Sequence, residues 1–347
     1  MKNLSKDFDH FAKKAKRRKR LLIIGLSALT MLVLGAGTLV VTSYQLQKSG
    51  ENAQKMTQIY NLIAQPNRVG ISNGGGVNGT SGTLDTQFMK DIDGYKIPFG
   101  TQNVTYGAWG NDASNLAMPQ TSFYNNGKYD VNGNRLGLFF TPGLDVTPSP
   151  DVKYGTAGVR ATHEASTLTE MPQTLAEVYV TFDKPYTYAQ IQALVPSNLA
   201  INWYWLGLTN KKVDASMLTN YIGINTATMP KSGATYQLET SAANANADIM
   251  EYPEYNWPDF VKCVKLAPQY FTDYSPIVES GGKGTFDVFK DAAKQISSEE
   301  NLDNAKFSGV ILTGKTKNLA TLDAESWVFA TNVGSTTPER PYITPAK

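Results

Sequence analysis

The chain has 347 residues, with 32 basic and 30 acidic side chains and a formal net charge of +2. This charge is unevenly divided, because residues 1–20 carry six lysines, three arginines and two aspartates, a net +7, and the remainder has a net charge of −5. The acidic remainder shows no basic stripe, which argues against direct binding of nucleic acid. Since Cys263 is the only cysteine, an internal disulfide is excluded, and we expect Cys263 to be a core residue on a strand.

Residues 1–20, the tail, are predicted to form a basic amphipathic helix in the cytoplasm. Leu4, Phe8 and Phe11 fall at helical spacing on one face of it, the tail face. Such a face lies either on a membrane surface or in a groove of another protein, and the residues alone leave both open. These three side chains are the candidate partner-binding residues, with membrane lipid as the competing contact.

Residues 21–44 form a block of 24 residues without a single charge, directly behind the basic run Lys13–Arg20. A helix needs roughly 20 apolar residues to cross a bilayer, and basic flanks stay on the cytoplasmic side. The sequence therefore predicts one membrane-spanning helix, with the amino terminus inside and the rest of the chain extracellular. A cleaved signal peptide is the competing interpretation, but its apolar core is typically only about 7–15 residues long.

Residues 45–65 are predicted to form a juxtamembrane stalk helix, because Ile59, Tyr60 and Ile63 are helically spaced and Pro66 stops the pattern.

Residues 66–170 are predicted to form an extracytoplasmic region of short strands and turns. Within it, residues 71–82 are too rich in Gly, Asn and Ser to suggest regular structure, and residues 136–140 read as an apolar strand.

Residues 171–347 are predicted to form an extracytoplasmic α+β domain with two strand–helix–strand units. In the first unit a capping box, Thr187 with Gln190, opens the helix. The expected elements of the two units are strand 175–182, helix 188–194 and strand 201–206, then strand 307–312, helix 316–322 and strand 327–333, with a longer helix at 285–296 between them. We expect strands 175–182 and 201–206 to share a sheet. The residues expected to be buried are Val178, Val180, Phe182, Trp203 and Val310.

The search for catalytic or metal-binding residues gives no candidate. Gly309–Thr316 matches the phosphate-loop pattern, but its middle residues read as a strand, so we interpret the match as chance. His163 is the only histidine beyond the apolar block, which excludes a multi-histidine metal site there. We expect no catalytic residue, no metal, no cofactor and no enzymatic activity. The aromatic residues of 252–257 are a candidate sugar platform or, more simply, a packed loop.

Residues 176–207 resemble the signature of the sigma factor regulator family of Gram-positive bacteria, which are single-pass membrane anti-sigma factors. Two further segments agree with this family, one before the apolar block and one near the end of the chain. The matching residues are Ala176–Val178, Phe182–Thr187, Leu194–Pro196, Trp203–Trp205, Phe11–Arg18 and Gly309–Leu322.

The resemblance implies a membrane-anchored regulator of an extracytoplasmic-function sigma factor, in which an exterior domain couples an envelope signal to transcription. It carries over no catalytic residues. An accessory membrane protein is a further candidate partner. Two rival functions remain: a non-catalytic envelope binding or adhesion module, which needs a platform such as 252–257, and a cell-wall enzyme, which needs a carboxylate pair in a cleft.

Overall fold

The computed structural model describes residues 2–110, 122–124, 127–129, 134–144, 160–226, 257–271, 277–278, 285–296 and 301–347. These residues form helices and sheets whose strand pairs are antiparallel, so the predicted α+β class is confirmed.

The helices of the described residues range from one turn to more than sixty residues. They are α1 (Lys2–Ile63), α2 (Tyr188–Leu194), α3 (Trp257–Tyr270), α4 (Val288–Ile296) and α5 (Thr316–Leu319). Short 3-10 turns lie at Ala165–Glu170, Ala215–Met217, Leu302–Asn304 and Leu322–Ala324.

The described strands form four sheets. They are β1 (Arg68–Asn78), β2 (Ser81–Ile92), β3 (Tyr95–Gly107), β4 (Ser122–Tyr124), β5 (Gly127–Tyr129), β6 (Arg135–Leu136), β7 (Thr174–Thr187), β8 (Ala200–Trp205), β9 (Gly223–Asn225), β10 (Ile277–Val278), β11 (Thr285–Phe286), β12 (Lys306–Lys315) and β13 (Val328–Pro338). The sheet orders are β1-β2-β3, β4-β5-β6, β13-β7-β12-β8-β9 and β10-β11.

Helix α1 runs without interruption for 62 residues and contains no proline. The three segments expected from the sequence, 1–20, 21–44 and 45–65, therefore meet in one helix, which contains residues 2–63 of them. Its last part is not free-standing, because Ile59 and Ile63 are fully buried in the main hydrophobic core. The helix ends three residues before Pro66, which has no backbone N–H to continue it.

The first sheet is a meander of three long strands, β1 to β3. The expectation that residues 71–82 lack regular structure is wrong, because β1 continues through Asn78 and β2 begins at Ser81. Residues Ser72 to Asn78 pair one by one with Gln87 to Ser81. The backbone of β2 supplies the hydrogen bonds, so an edge strand forms here despite a glycine-rich composition.

The central sheet is built from the strands that the sequence predicted in the C-terminal half. Strand β12 lies between β7 and β8, so residues 175–182 and 201–206 belong to the same sheet, as expected. Val310 pairs with Val180 on one side and with Tyr204 on the other. The residues predicted to be buried are all at most 1% exposed, namely Val178, Val180, Phe182, Trp203 and Val310.

The helices beside the central sheet follow the prediction with shifted ends. The capping box of α2 is confirmed, since the Gln190 amide donates to Thr187 Oγ1 and the Thr187 amide donates to Gln190 Oε1. Helix α4 begins at Val288 rather than at residue 285, because Thr285 and Phe286 form a short strand and the Asp287 carboxylate accepts from the Phe289 and Lys290 amides.

Cys263 lies in the core, as expected, but the prediction that it sits on a strand is wrong. It belongs to α3, where Phe260, Cys263, Val264 and Ala267 are fully buried. Their spacing of three, four and seven residues is helical, which the five-residue window around Cys263 was too short to reveal.

The predicted strand at 136–140 is also wrong beyond Leu136. Leu138, Phe139 and Phe140 are buried without a partner strand at their amides. Side chains accept from these three amides instead, at 2.9, 3.2 and 3.0 Å, and they come from Asn332, Tyr221 and Thr181 respectively. The segment therefore packs as extended core chain bonded to side-chain acceptors.

Candidate functional site

The first part of α1 carries the predicted partner-binding residues. Leu4, Phe8 and Phe11 lie in the same helix at spacings of four and three residues, which places them on one face. Phe11 is 69% exposed. The side chains of Leu4 and Phe8 lie outside the described residues, so the structure establishes their place in the helix and leaves their contacts as a prediction.

The apolar block of α1, residues 21–44, is exposed on every side. Leu22, Met31 and Leu39 are each at least 70% exposed, although they lie on different faces of the helix. Within the described residues, α1 is the one helix with the length and composition to cross a membrane. An apolar helix without a water-preferring face is stable only in apolar surroundings, so α1 fits a single-pass membrane protein.

The last part of α1 is anchored in the folded domain. Tyr60 is 2% exposed, and its hydroxyl lies 2.5 Å from Asn220 Oδ1. Its ring meets Phe271, at the end of α3, edge-on with the centroids 5.9 Å apart. With Ile59 and Ile63 fully buried, the helix end is held from several sides and cannot move independently of the core.

A buried polar cluster lies immediately after α1 and joins it to both large sheets. Lys90 Nζ on β2 and Glu177 Oε2 on β7 form an ion pair at 2.5 Å, and both side chains are fully buried. Asn67, in the turn after α1, donates to Glu177 Oε1 at 3.0 Å. Asn202 on β8 donates to Asn67 Oδ1 at 2.9 Å, and Thr313 on β12 donates to Asn202 Oδ1 at 2.9 Å.

Both charged groups of this cluster make stabilising contacts beyond the ion pair itself. Besides Lys90 and Asn67, the Ser335 amide donates to Glu177 at 3.1 Å. Lys90 Nζ lies 4.1 Å from the centroid of the Phe99 ring, which adds a cation–π contact. A buried ion pair of this kind contributes little net stability when intact, but it penalises any rearrangement that separates its members. The cluster therefore fixes how the end of α1 sits between the sheets.

Asn67 reaches this cluster because it adopts a left-handed backbone conformation, with φ at 48°. Asparagine tolerates this region better than most residues.

Sequence patterns alone do not reveal the residues of this cluster. One signal was available, because Glu177 is a charged residue inside the otherwise apolar run 175–182, where an unpaired carboxylate would be costly. The identity of its partner, Lys90, depends on a contact across 87 residues, which no local pattern reveals.

The residues considered for chemistry have structural roles. Gly309 to Lys315 form part of β12, so the phosphate-loop pattern is strand rather than loop, as expected. His163 Nδ1 lies 3.6 Å from Asp323 Oδ1, and the residue forms a single bridge to Thr331 on β13. No group of three or more potential metal-ligating side chains occurs among the described residues.

Two further candidates are the Cys263 thiol, as a reactive group, and the aromatic stretch 252–257, as a sugar platform. Burial raises the pKa of the Cys263 thiol to about 12, so this thiol stays protonated at neutral pH. Of the aromatic stretch 252–257, residues 252–256 lie outside the described residues, and Trp257 is buried at the start of α3.

Two protein-family models match the chain. The sigma factor regulator N-terminal model matches residues 9–97, from the tail through α1 to the start of β3. The sigma factor regulator C-terminal model matches residues 168–335, which include the central sheet. The chain therefore belongs to the sigma factor regulator family. Neither a curated protein nor a solved structure gives a match.

Family membership supports an anti-sigma factor role in general, and it implies interaction with a sigma factor. Families of anti-sigma regulators are generally non-catalytic. The candidate functional site is therefore α1 itself, with its tail face at one end and its anchor in the folded domain at the other.

Proposed function

We propose that the protein is a membrane-anchored anti-sigma factor that holds an extracytoplasmic-function sigma factor at the inner face of the cell membrane and couples its release to an envelope signal. The observation that carries this proposal is the continuity of α1. One helix begins with the candidate binding face, passes through the apolar block and ends in the core of the folded domain.

The charge distribution supports an orientation with the tail in the cytoplasm. Residues 1–20 carry a net +7, and eight residues directly before the apolar block include seven lysines or arginines. Basic residues next to a membrane helix are retained on the cytoplasmic side. The folded domain then lies outside the cell, where it is accessible to envelope signals, and the tail lies where sigma factors act.

The tail face supports helix-in-groove recognition. Amphipathic helices bind protein grooves through a few apolar side chains spaced by three and four residues. Leu4, Phe8 and Phe11 supply such a row. The basic residues nearest the membrane contribute attraction to anionic lipid, on the order of 1 kcal/mol each. We therefore assign specificity for the sigma factor to the apolar face.

Transmission across the membrane follows from the anchor of α1. Because Ile59, Tyr60 and Ile63 are packed in the core, a rearrangement of the folded domain displaces the helix as a rigid element. We propose that such a displacement repositions the tail and releases the sigma factor. Oligomerisation and proteolysis of the chain are the competing routes.

The test replaces Phe8 and Phe11 by alanine and measures transcription from promoters of the sigma factor. We expect transcription to rise, because the tail loses two of its three apolar anchors. The matched control is Asp9→Ala with His10→Ala, which changes two residues off the apolar face and leaves the basic run intact; transcription should stay repressed.

Protein level and membrane insertion are measured for every variant in the same cells. If transcription stays unchanged in the Phe8→Ala/Phe11→Ala variant and in a deletion of residues 2–12, the tail does not restrain a sigma factor. The envelope-module function then replaces this proposal.

A further inference from the structure

One end of the first sheet lies beside α1 close to the apolar block. A Cβ atom on Gly50 would come within 2.9 Å of the Tyr106 ring, so the end of β3 packs directly on the helix. Gly107, Ala108 and Gly110 line a groove of about 600 Å³ together with Gln45 and Lys48, the residues that follow the apolar block. The folded domain thus reaches down to the point where α1 leaves that block.

The burial of Leu46 supports the same placement. Leu46 is only 8% exposed, whereas Leu39, two turns earlier on the same face of α1, is 70% exposed. This face of the helix therefore changes from exposed to buried within two turns.

The lengths of the elements agree with this geometry. From Tyr44 to Ile63 the helix rises by roughly 28 Å, at about 1.5 Å per residue. Strand β1 then runs from Arg68 to Asn78, roughly 33 Å at about 3.3 Å per residue. Val77 pairs with Gly82, and Gly82 pairs with Tyr106, whose ring packs on Gly50 of α1. The far end of β1 therefore lies at the end of the sheet that is nearest the apolar block.

This end of the sheet exposes two large apolar side chains. Trp109 is 73% exposed and Val77 is 65% exposed. The backbone around Trp109 is fixed, because the Gly107 amide donates to the Gly110 carbonyl at 3.0 Å and the Ala108 amide donates to the Thr80 carbonyl at 2.9 Å. Trp109 is therefore held out from a tight turn.

We propose that Trp109, with Val77, inserts into the outer interface of the membrane that α1 crosses. The inference rests on the proposed membrane crossing of α1. Tryptophan is enriched at the membrane–water interface, where its ring contacts the acyl region and its N–H remains among polar groups.

This contact gives the domain a second attachment to the bilayer besides α1. Two attachments fix the tilt of the domain relative to the membrane, which a single helix leaves free to vary. Because the end of α1 is held in the core, the tilt of the helix in the membrane is then set together with the tilt of the domain on the bilayer surface.

Tryptophan fluorescence tests the proposal, because the other four tryptophans are buried. Trp203, Trp205, Trp257 and Trp327 are each at most 8% exposed. The full chain is placed in lipid nanodiscs, and the emission of Trp109 is taken as the difference between wild type and Trp109→Ser. Lipids brominated near the top of their acyl chains should quench most of this difference signal, and aqueous iodide should quench little of it.

A matched control places tryptophan at the opposite end of the domain. Tyr342 is 77% exposed and lies near Tyr95, at the other end of the sheet from Trp109. In the Trp109→Ser/Tyr342→Trp variant, iodide should quench the new tryptophan and brominated lipid should not.

The proposal is overturned if iodide quenches Trp109 as strongly as it quenches the control tryptophan, or if neither quencher reaches Trp109. Membrane crossing is checked independently by labelling a cysteine introduced at Asn73 from outside intact cells and one introduced at Ser5 only after permeabilisation. Failure of the fluorescence test with correct labelling refutes the membrane contact alone.

Discussion

At the residue scale, the buried pair Lys90 and Glu177 shows how the fold holds the end of α1. Neither side chain is accessible to water, and Glu177 also accepts from Asn67 and from the Ser335 amide. An unpaired charge at this position would have lost its hydration without compensation. Each of the two buried charges is therefore tolerated only because the other is present.

We expect Lys90→Met and Glu177→Gln to be strongly destabilising one at a time and much less so in combination. Either single change leaves one buried charge without its oppositely charged partner. Breaking a buried ion pair in this way costs about 3–5 kcal/mol of folding free energy. The double variant is neutral, and the amide oxygen introduced by Glu177→Gln would still accept from Asn67. Urea unfolding of the full chain, followed by the fluorescence of its buried tryptophans, measures the effect.

If the free energies lost by the two single variants simply add in the double variant, the pair is not an energetic unit.

Asp93 is a second residue whose environment conflicts with its charge. It occupies the turn between β2 and β3 in a left-handed conformation, with φ at 52°, and is 1% exposed. Burial raises the pKa of its carboxyl from 3.8 to about 6, assisted by the charge of Asp91 and opposed by the backbone amides of Lys347 and Ala346.

A raised pKa means that the folded state binds the proton more tightly than the unfolded state. Asp93 therefore contributes stability that is present below pH 4 and is lost as the pH rises through 6. Asp93→Asn removes the charge and keeps a residue suited to the turn.

We expect Asp93→Asn to stabilise the chain at pH 7.5, on the order of 1 kcal/mol, with the advantage shrinking as the pH falls from 6 towards 4. Melting temperatures of both proteins across this range provide the measurement. A difference in melting temperature that stays constant from pH 4.5 to pH 8 would show that burial does not raise the pKa of the Asp93 carboxyl.

At the scale of elements, α1 must be stiff between the apolar block and the core if it is to transmit a displacement of the folded domain. Gln47 is exposed between these two parts. A proline there removes one helical hydrogen bond and clashes with the carbonyl of residue 43, which kinks a helix.

We expect Gln47→Pro to disrupt this stiffness without unfolding the domain. Nitroxide labels on cysteines introduced at Ser27 and Gln54 should lie about 40 Å apart with a narrow distance distribution in the unaltered helix. Gln47→Pro should shorten and broaden that distribution, and Gln47→Ala should leave it unchanged. Because Cys263 is buried and protonated, it should not take up label.

If the label-to-label distances in the unaltered helix are as broadly distributed as in Gln47→Pro, α1 is not stiff enough to transmit a displacement as a rigid element.

Elements with strong local patterns were predictable, and those decided by distant partners were not. The strand at 175–182 and the capping box of α2 each have a local physical cause, and both are observed, although the strand is buried on both faces rather than on one. Strand β1 forms because β2 pairs with it, which its own glycines do not predict. The extended chain at Leu138–Phe140 depends on side chains up to 194 residues away.

The candidate site likewise has parts that local sequence patterns predict and a part that they do not. The tail face and the apolar block are visible from residue spacing and composition alone. The anchor of α1 is not, because Tyr60 meets Asn220 across 160 residues and Lys90 meets Glu177 across 87. Helical spacing predicted a stalk, and only the tertiary contacts show that this stalk is part of the core.

At the scale of the whole molecule, one helix joins the tail, the apolar block and the folded domain. A net charge of +7 lies before the apolar block and a net charge of −5 lies after it, divided as the positive-inside rule requires for a cytoplasmic tail. The family matches extend over both the long helix and the central sheet, so the helix and the domain that anchors it belong to the same family architecture.

The most direct measurement of the central claim is the recovery of an extracytoplasmic-function sigma factor with the detergent-solubilised full chain. The sigma factor should co-purify with the unaltered protein and with Asp9→Ala/His10→Ala. It should be lost from Phe8→Ala/Phe11→Ala and from a chain lacking residues 2–12, which keeps the basic run that sets topology. Equal recovery with and without residues 2–12 would contradict the account, because the sigma factor would then be held by something other than the tail of α1.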